Sequence, residues 1–261
     1  LRLINFAHGD VFMAAGLIMV YLSASLPIGV ALPLMILLTV LLGFVIERAA
    51  YKPLRSAPRM SVMISAIGVS YLLQNLALLI WGSNPKSFTS IISFGPVRLF
   101  DGQLIISDVA IVTVLACILI MLALTWFTGK TRMGKAMRAV SEDKGAAQLM
   151  GVNVNRTISV TFAIGSALAA IAGVLLCSAY PTLMPTTGSM PGIKAFTAAV
   201  FGGIGSIPGA MLGGILLGII EIFGKSYIST ELGDAIVFAI LIVILLVKPA
   251  GLLGKKIREK V

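Results

Sequence analysis

The sequence is poor in charge, in histidine and in cysteine, and each shortage removes a class of function. Only 11% of its 261 residues are charged while 58% are hydrophobic, and the mean hydropathy is +1.05. That composition lies outside the range of water-soluble domains and marks a membrane protein. A single histidine, His8, and two cysteines, Cys117 and Cys177, give no cluster with metal-ligand spacing. Each cysteine sits inside an apolar run and reads as a small buried hydrophobe. There is no GxxxxGK[ST] phosphate loop and no pair of carboxylates on a shared apolar face, so the chain is not expected to be an enzyme or to bind a cofactor or metal itself. Any ATP-driven step would need a nucleotide site on another polypeptide. An initiator methionine is lacking too: the chain starts at Leu1 without a charged leader, which is read as a missing N-terminal segment and not as a signal peptide.

What is present is a set of long apolar runs. A helix needs about 20 apolar residues to cross a bilayer, and six segments meet or approach that: 10–26, 27–46, 61–81, 104–127, 158–180 and 232–247. The 20 basic residues outnumber the 10 acidic ones, which in a soluble chain would point to nucleic acid; here their placement beside spans removes that partner. Arg48, Lys52, Arg55 and Arg59 follow the second segment, Lys130, Arg132, Lys135, Arg138, Lys144 and Arg156 the fourth, and Lys248, Lys255, Lys256, Arg258 and Lys260 the last. The other connections hold Lys86, Arg98 and Lys225. This asymmetry predicts that the three basic connections and the C-terminus are cytoplasmic. Trp81 and Trp126 fit interfacial anchors.

Parity then requires an even number of crossings between the fifth segment and the last. The pair expected is 192–204 and 208–223, joined by "GGIGSIPG", as two short spans or a re-entrant hairpin. Gly205, Gly209 and Gly213, and likewise Gly214 and Gly218, recur every four residues, a spacing that lets helix backbones approach closely in lipid. Lys194, Thr197, Gly202, Gly203 and Gly205 are therefore candidates for helix breaks or for the lining of a path. Lys194 and Glu221 are read as interfacial charges, one beside a Gly-Pro break and the other toward the outer end of its segment. "SAIGVSYLL" at 65–73 and "FAIGSALAA" at 162–170 hint at duplicated architecture. The expected fold is all-α: a polytopic transmembrane helical bundle, one domain over 1–261, with short, broken or re-entrant Gly-rich helices and a soluble loop at 129–157.

Two polar stretches stand out. In "AVSEDKGAAQLMG" Ser141 is a good helix N-cap, Glu142 and Asp143 suit a first turn, and Gly151 is a natural stop. A short helix over 142–150 is expected, with Ala146, Leu149 and Met150 on one face, either packed back on the membrane domain or open to a cytoplasmic partner. In "INFAHGD" at 4–10, Gly9 can end one helix and Asp10 cap the next. Asn5 and His8 would then either satisfy the freed backbone or line a path.

Four stretches in order, "INFAHGD", "ERAAYKPLR", "RMGKAMRAVSEDKGAAQLMGVN" and "GIKAFTAAVFGGIGSIPGAMLGG", resemble the membrane permease subunit of bacterial branched-chain amino acid ABC importers across essentially the whole chain. The resemblance implies an inner-membrane location and a second permease subunit, related or identical. It also implies cytoplasmic ATPase subunits that hold the ATP and magnesium, and a periplasmic substrate-binding protein. It makes the helix between Ser141 and Gly151 a coupling helix docking on the ATPase, and implies alternating access. Related permeases serve urea or short amides. An ATP-independent secondary transporter or channel is the alternative of another class, and it would call for membrane-embedded acidic or histidine relays.

Overall fold

A computed structural model describes residues 7–55, 57–92, 94–99, 104–248 and 250–254. Asn5, Lys255, Lys256, Arg258 and Lys260 lie outside the described residues. The chain divides into two compact units, Leu1–Ala116 with Phe127–Gly192, and Cys117–Trp126 with Ile193–Val261.

In the first unit, α1 (His8–Ser25) is the central helix. It packs on α2 (Ile28–Ile46), α3 (Arg59–Trp81) and α7 (Val154–Ala179). Val11, Met13, Ala15, Leu17 and Met19 are all buried around it, so it is enclosed by protein on most of its surface. By contrast α2 keeps Leu37, Leu41 and Val45 exposed, as a helix facing acyl chains does. Small residues set the spacing. A methyl on Gly173 would press on the Phe12 carbonyl oxygen, and one on Gly43 would overlap the Ser166 hydroxyl, so α7 approaches both helices nearly backbone to side chain. Two short antiparallel ribbons complete the unit, β1 (Lys86–Ser87) with β4 (Thr182–Leu183), and β2 (Val97–Leu99) with β3 (Leu104–Ile106).

The fourth expected span starts later than its apolar run. Residues 104–106 pair with Val97–Leu99, and α4 begins only at Asp108 and runs to Lys130. β-Branched Ile105 and Ile106 suit a ribbon as readily as a helix. The stretch between α4 and α7 carries α5 (Arg132–Glu142) and α6 (Lys144–Leu149).

The second unit holds α8 (Ser189–Gly202) from Ile193 onward, α9 (Ile207–Tyr227) and α10 (Gly233–Val247). At 1.5 Å per residue α9 reaches about 31 Å, enough for a hydrocarbon core of about 30 Å. α8 and α10, at 14 and 15 residues, reach only about 21 and 22 Å. Among the described residues six helices are long and apolar enough to cross a membrane, the sixth being Ile207–Tyr227, while the helix at the expected 232–247 is the shorter Gly233–Val247. The polytopic helical bundle is thus present, with its short helices in the Gly-rich region. A methyl on Gly202 would meet the Gly209 carbonyl, and one on Gly213 the Ala198 carbonyl, which is how α8 and α9 close tightly.

The expected break does not fall between Gly9 and Asp10: α1 starts at His8 and holds both residues in its first turn. Gly9 is instead a contact point. A Cβ there would run into the Gly188 carbonyl oxygen and the Gly192 Cα, and one on Gly188 into the Gly9 carbonyl. Gly9→Ala should therefore destabilise the protein by about 1–3 kcal/mol. Gly68→Ala, in a helix with nothing within 4 Å of its Cβ, should be neutral or stabilising by about 0.5–1 kcal/mol. Thermal unfolding of the two variants in detergent micelles checks the contrast.

Candidate functional site

Three polar constellations stand out against the apolar background. The first is the elbow between α4 and α7. Thr131 caps α5, its Oγ1 accepting from the Gly134 N–H at 3.0 Å. The chain then breaks at Asp143 (φ −148°), whose Oδ1 accepts from the Ala146 N–H at 3.0 Å and opens α6. Gly151 ends this helix with φ +80°, the left-handed conformation glycine adopts freely. Asn153 Oδ1 accepts from the Arg156 N–H at 3.0 Å and caps α7. The expected short helix exists, but its cap is Asp143 and not Ser141. Ser141 and Glu142 belong to the last turn of α5, where Ser141 Oγ donates to the Arg138 carbonyl at 2.7 Å. Two good capping residues stand two positions apart, and the choice falls to packing. Val140 on α5, Ala147 on α6 and Ile158 on α7 form a small core that fixes the elbow. All three residues of the expected face are open, Ala146 exposed and Leu149 and Met150 90% and 83% exposed, while Ala147, outside that face, turns inward.

Beneath the elbow lies an ion pair that sequence reading missed. α2 continues into a π-turn over Glu47–Tyr51, and Glu47 is only 1% exposed. Its Oε1 accepts from the Arg55 guanidinium, and its Oε2 from Ser159 Oγ at 3.0 Å. Arg55 also donates to Asn155 Oδ1. The end of α2 is thereby tied to the first turns of α7, directly after the elbow. The only signal in sequence is a glutamate closing an apolar run with an arginine eight residues on.

The second constellation surrounds Asp10, which is 1% exposed. Ser70 Oγ donates to its Oδ2, and Gln74 Nε2 donates to its Oδ1 at 3.0 Å and to Ser189 Oγ at 3.1 Å. Ser70 and Gln74 sit one turn apart on α3, so α1, α3 and the start of α8 are stitched together by hydrogen bonds around one carboxyl group. Asp10 is thus not a helix cap. His8 is half-buried next to it in sequence, and its ring lies near Gly165.

The third constellation belongs to the second unit. Lys194 Nζ is 2.8 Å from Glu221 Oε1 and 2.6 Å from Asp234 Oδ1, and Lys225 Nζ is 2.5 Å from the same Glu221 oxygen. Lys194 and Glu221 are therefore partners across α8 and α9. They border a cavity of about 230 Å³ lined further by Ala195, Ala198, Gly214, Leu217, Gly218 and Val237. Thr197 is buried and donates back to the Ile193 carbonyl at 2.9 Å. Gly203 (φ +110°) and Gly205 (φ +95°) make the turn after α8. That turn is braced by the Leu252 and Leu253 N–H groups, which donate to the Phe201 and Gly202 carbonyls at 2.9 Å. Gly202, Gly203 and Gly205 thus form a fixed corner. Among the described residues no three His, Cys, Asp or Glu side chains gather as a metal site.

Long apolar helices, carboxylates held inside them and a capped polar elbow between two spans define a multi-pass membrane protein of the transport class. The chain belongs to the family described as the branched-chain amino acid transport system permease component, which matches residues 1–245. It is 44% identical to the high-affinity branched-chain amino acid transport system permease protein LivH of Salmonella typhimurium, over 99% of this chain and 88% of that one. It is 42% identical to the permease protein BraD of Pseudomonas aeruginosa over the same shares. A probable LivH of Methanocaldococcus jannaschii is 28% identical over 86% of this chain and 74% of its own length. No solved structure matches.

Removing one partner of a buried ion pair costs about 3–5 kcal/mol, because the other charge stays buried. Arg55→Met should accordingly lower thermal stability far more than the double replacement Glu47→Leu with Arg55→Met, measured by unfolding of the purified protein.

Proposed function

We propose that this chain is the permease subunit of an ATP-driven importer that carries branched-chain amino acids into the cytoplasm by alternating access. The observation that carries the reading is similarity over nearly the whole chain to permeases named for that transport. The elbow supplies its mechanical part. Leu149 and Met150 stand exposed at the end of α6 while Val140, Ala147 and Ile158 anchor the elbow to α7. An apolar tip on a rigid base is what docking on an ATPase subunit requires, with Glu142, Asp143, Ala146 and Gly151 around it and Ser141 in the preceding turn. Movement of that subunit on ATP binding and hydrolysis would pass through α7 and, by way of Asn155, Ser159 and the Arg55–Glu47 pair, into α2.

ATP and magnesium are held by the ATPase partners in this reading. A periplasmic binding protein delivers substrate, and a second permease, identical or related, completes the pathway. The Lys and Arg asymmetry of the connections supports a cytoplasmic elbow and C-terminus, and the importer reading carries with it a bacterial inner membrane. His8, Gly9 and Asp10 are read as belonging to the wall of the path, held by Ser70, Gln74 and Ser189. The corner of Gly202, Gly203 and Gly205, with Thr197 behind it, gives α8 its fixed end.

The double variant Leu149→Asp with Met150→Asp should stay in the membrane, fail to co-purify the ATPase subunits in mild detergent, and lose at least about nine-tenths of leucine uptake, a drop of about 1.4 kcal/mol or more in coupling. Full uptake with intact co-purification would overturn the docking assignment.

A further inference from the structure

A lysine, a glutamate and an aspartate on three helices of an apolar membrane protein are costly unless they serve a purpose, and ionisable groups inside membranes mark substrate and ion routes. Lys194 on α8 stands between Glu221 on α9 and Asp234 on α10, and Lys225 holds Glu221 from one turn further along α9. The group is balanced, two cations against two carboxylates. Lys194 and Glu221 lie on the wall of the cavity, which is otherwise apolar and small: Ala195, Ala198, Leu217 and Val237 with two glycines.

Those glycines do not serve the close helix contact their spacing foretells. A Cβ on Gly214 would touch only the Ala198 methyl at 3.8 Å, and one on Gly218 would meet nothing within 4 Å. They leave room. At about 230 Å³ the space exceeds the roughly 150 Å³ that suffices for a benzene molecule.

We propose that this cavity between α8, α9 and α10 is a seat for the α-amino-acid zwitterion, with Lys194 taking its carboxylate, Glu221 and Asp234 its ammonium group, and the space over Gly214 and Gly218 its branched aliphatic tail. The proposal deepens the importer reading and rests on it. Charge balance selects the ligand. A zwitterion inserted between Lys194 and one of its carboxylates replaces one ion pair by two and leaves no charge unmatched. A singly charged ligand would leave one group unpaired, and an uncharged amide would have to break a pair without replacing it. Because Lys194 is shared between two carboxylates, opening one contact leaves the other in place. Because Lys225 also binds Glu221, that carboxylate stays paired throughout.

The test uses the complete transport system, permease with its ATPase subunits, partner permease and binding protein, in membrane vesicles supplied with leucine or valine at saturating concentration. Gly218→Val narrows the space proposed for the tail, since a Cβ there meets nothing within 4 Å, and assembly of the variant is checked by co-purification of all subunits. Its leucine-to-valine uptake ratio should fall by about five-fold or more, the scale of discrimination that a methylene carries in an apolar pocket. Lys194→Gln should abolish uptake of both, and Lys194→Arg should restore part of it. A leucine-to-valine ratio unchanged in Gly218→Val, whatever the absolute rate, would overturn the seat, as would full uptake by Lys194→Gln. If the unaltered system takes up neither amino acid, the importer reading falls and the seat falls with it.

Discussion

Inside a bilayer no water is at hand to satisfy a polar group, so every carboxylate carried into an apolar helix must find its partner within the protein. Much of this architecture follows from that requirement. Asp10, Glu47 and Glu221 each sit in a helix, and each is met by side chains from other elements: Ser70 and Gln74 for the first, Arg55 and Ser159 for the second, Lys194 for the third. Apolar contact alone cannot select one arrangement of helices in lipid, because acyl chains are as good a solvent for leucine as another leucine. The carboxylates act as keys that only one register satisfies, while glycines and alanines let the backbones come close enough for the keys to reach.

The three keys differ in the freedom they leave. Around Asp10 the partners are neutral and the carboxyl group is enclosed, so α1 and α3 are joined there by hydrogen bonds alone. The Glu47 pair is ionic and enclosed, and it couples the end of α2 to the start of α7 through donors on both sides. The Glu221 group is ionic, half-open and redundant, with a lysine shared by two carboxylates and a carboxylate shared by two lysines. The tie near the elbow is enclosed, whereas the one beside the cavity is partly open.

Composition made the membrane class legible, and the run lengths gave most of the helices, because 58% hydrophobic residues with long uncharged stretches admit few other folds. Local rules succeeded where the deciding contact is local: Gly151 ends a helix, and the region after 141 is helical. They failed where a distant residue decides. Ser141 reads as the cap from its neighbours alone, yet it closes α5 and Asp143 caps α6. Asp10 has the makings of a cap but is claimed by residues 60 and 64 positions away. The links from Lys194 to Glu221 and Asp234 span 27 and 40 positions, with nothing in the intervening sequence to announce them. Ile105 and Ile106 satisfied a span by hydropathy and joined a ribbon by pairing, which an apolar count cannot distinguish.

The facing glycines at 9 and 188 carry a consequence for how such a chain can diverge. Each would-be methyl meets the other residue's backbone first, so no substitution at one position can make room for a larger residue at the other. Elsewhere in the core a bulky change can be absorbed by trimming a neighbour, and lineages drift through such paired exchanges. Here that route is closed. The two positions can vary only if the main chain of α1 or of the turn before α8 moves, which would carry Asp10 and Ser189 away from Gln74. The smallest residues in the protein are therefore among its least negotiable, fixed by the absence of anything on the opposite side that could yield.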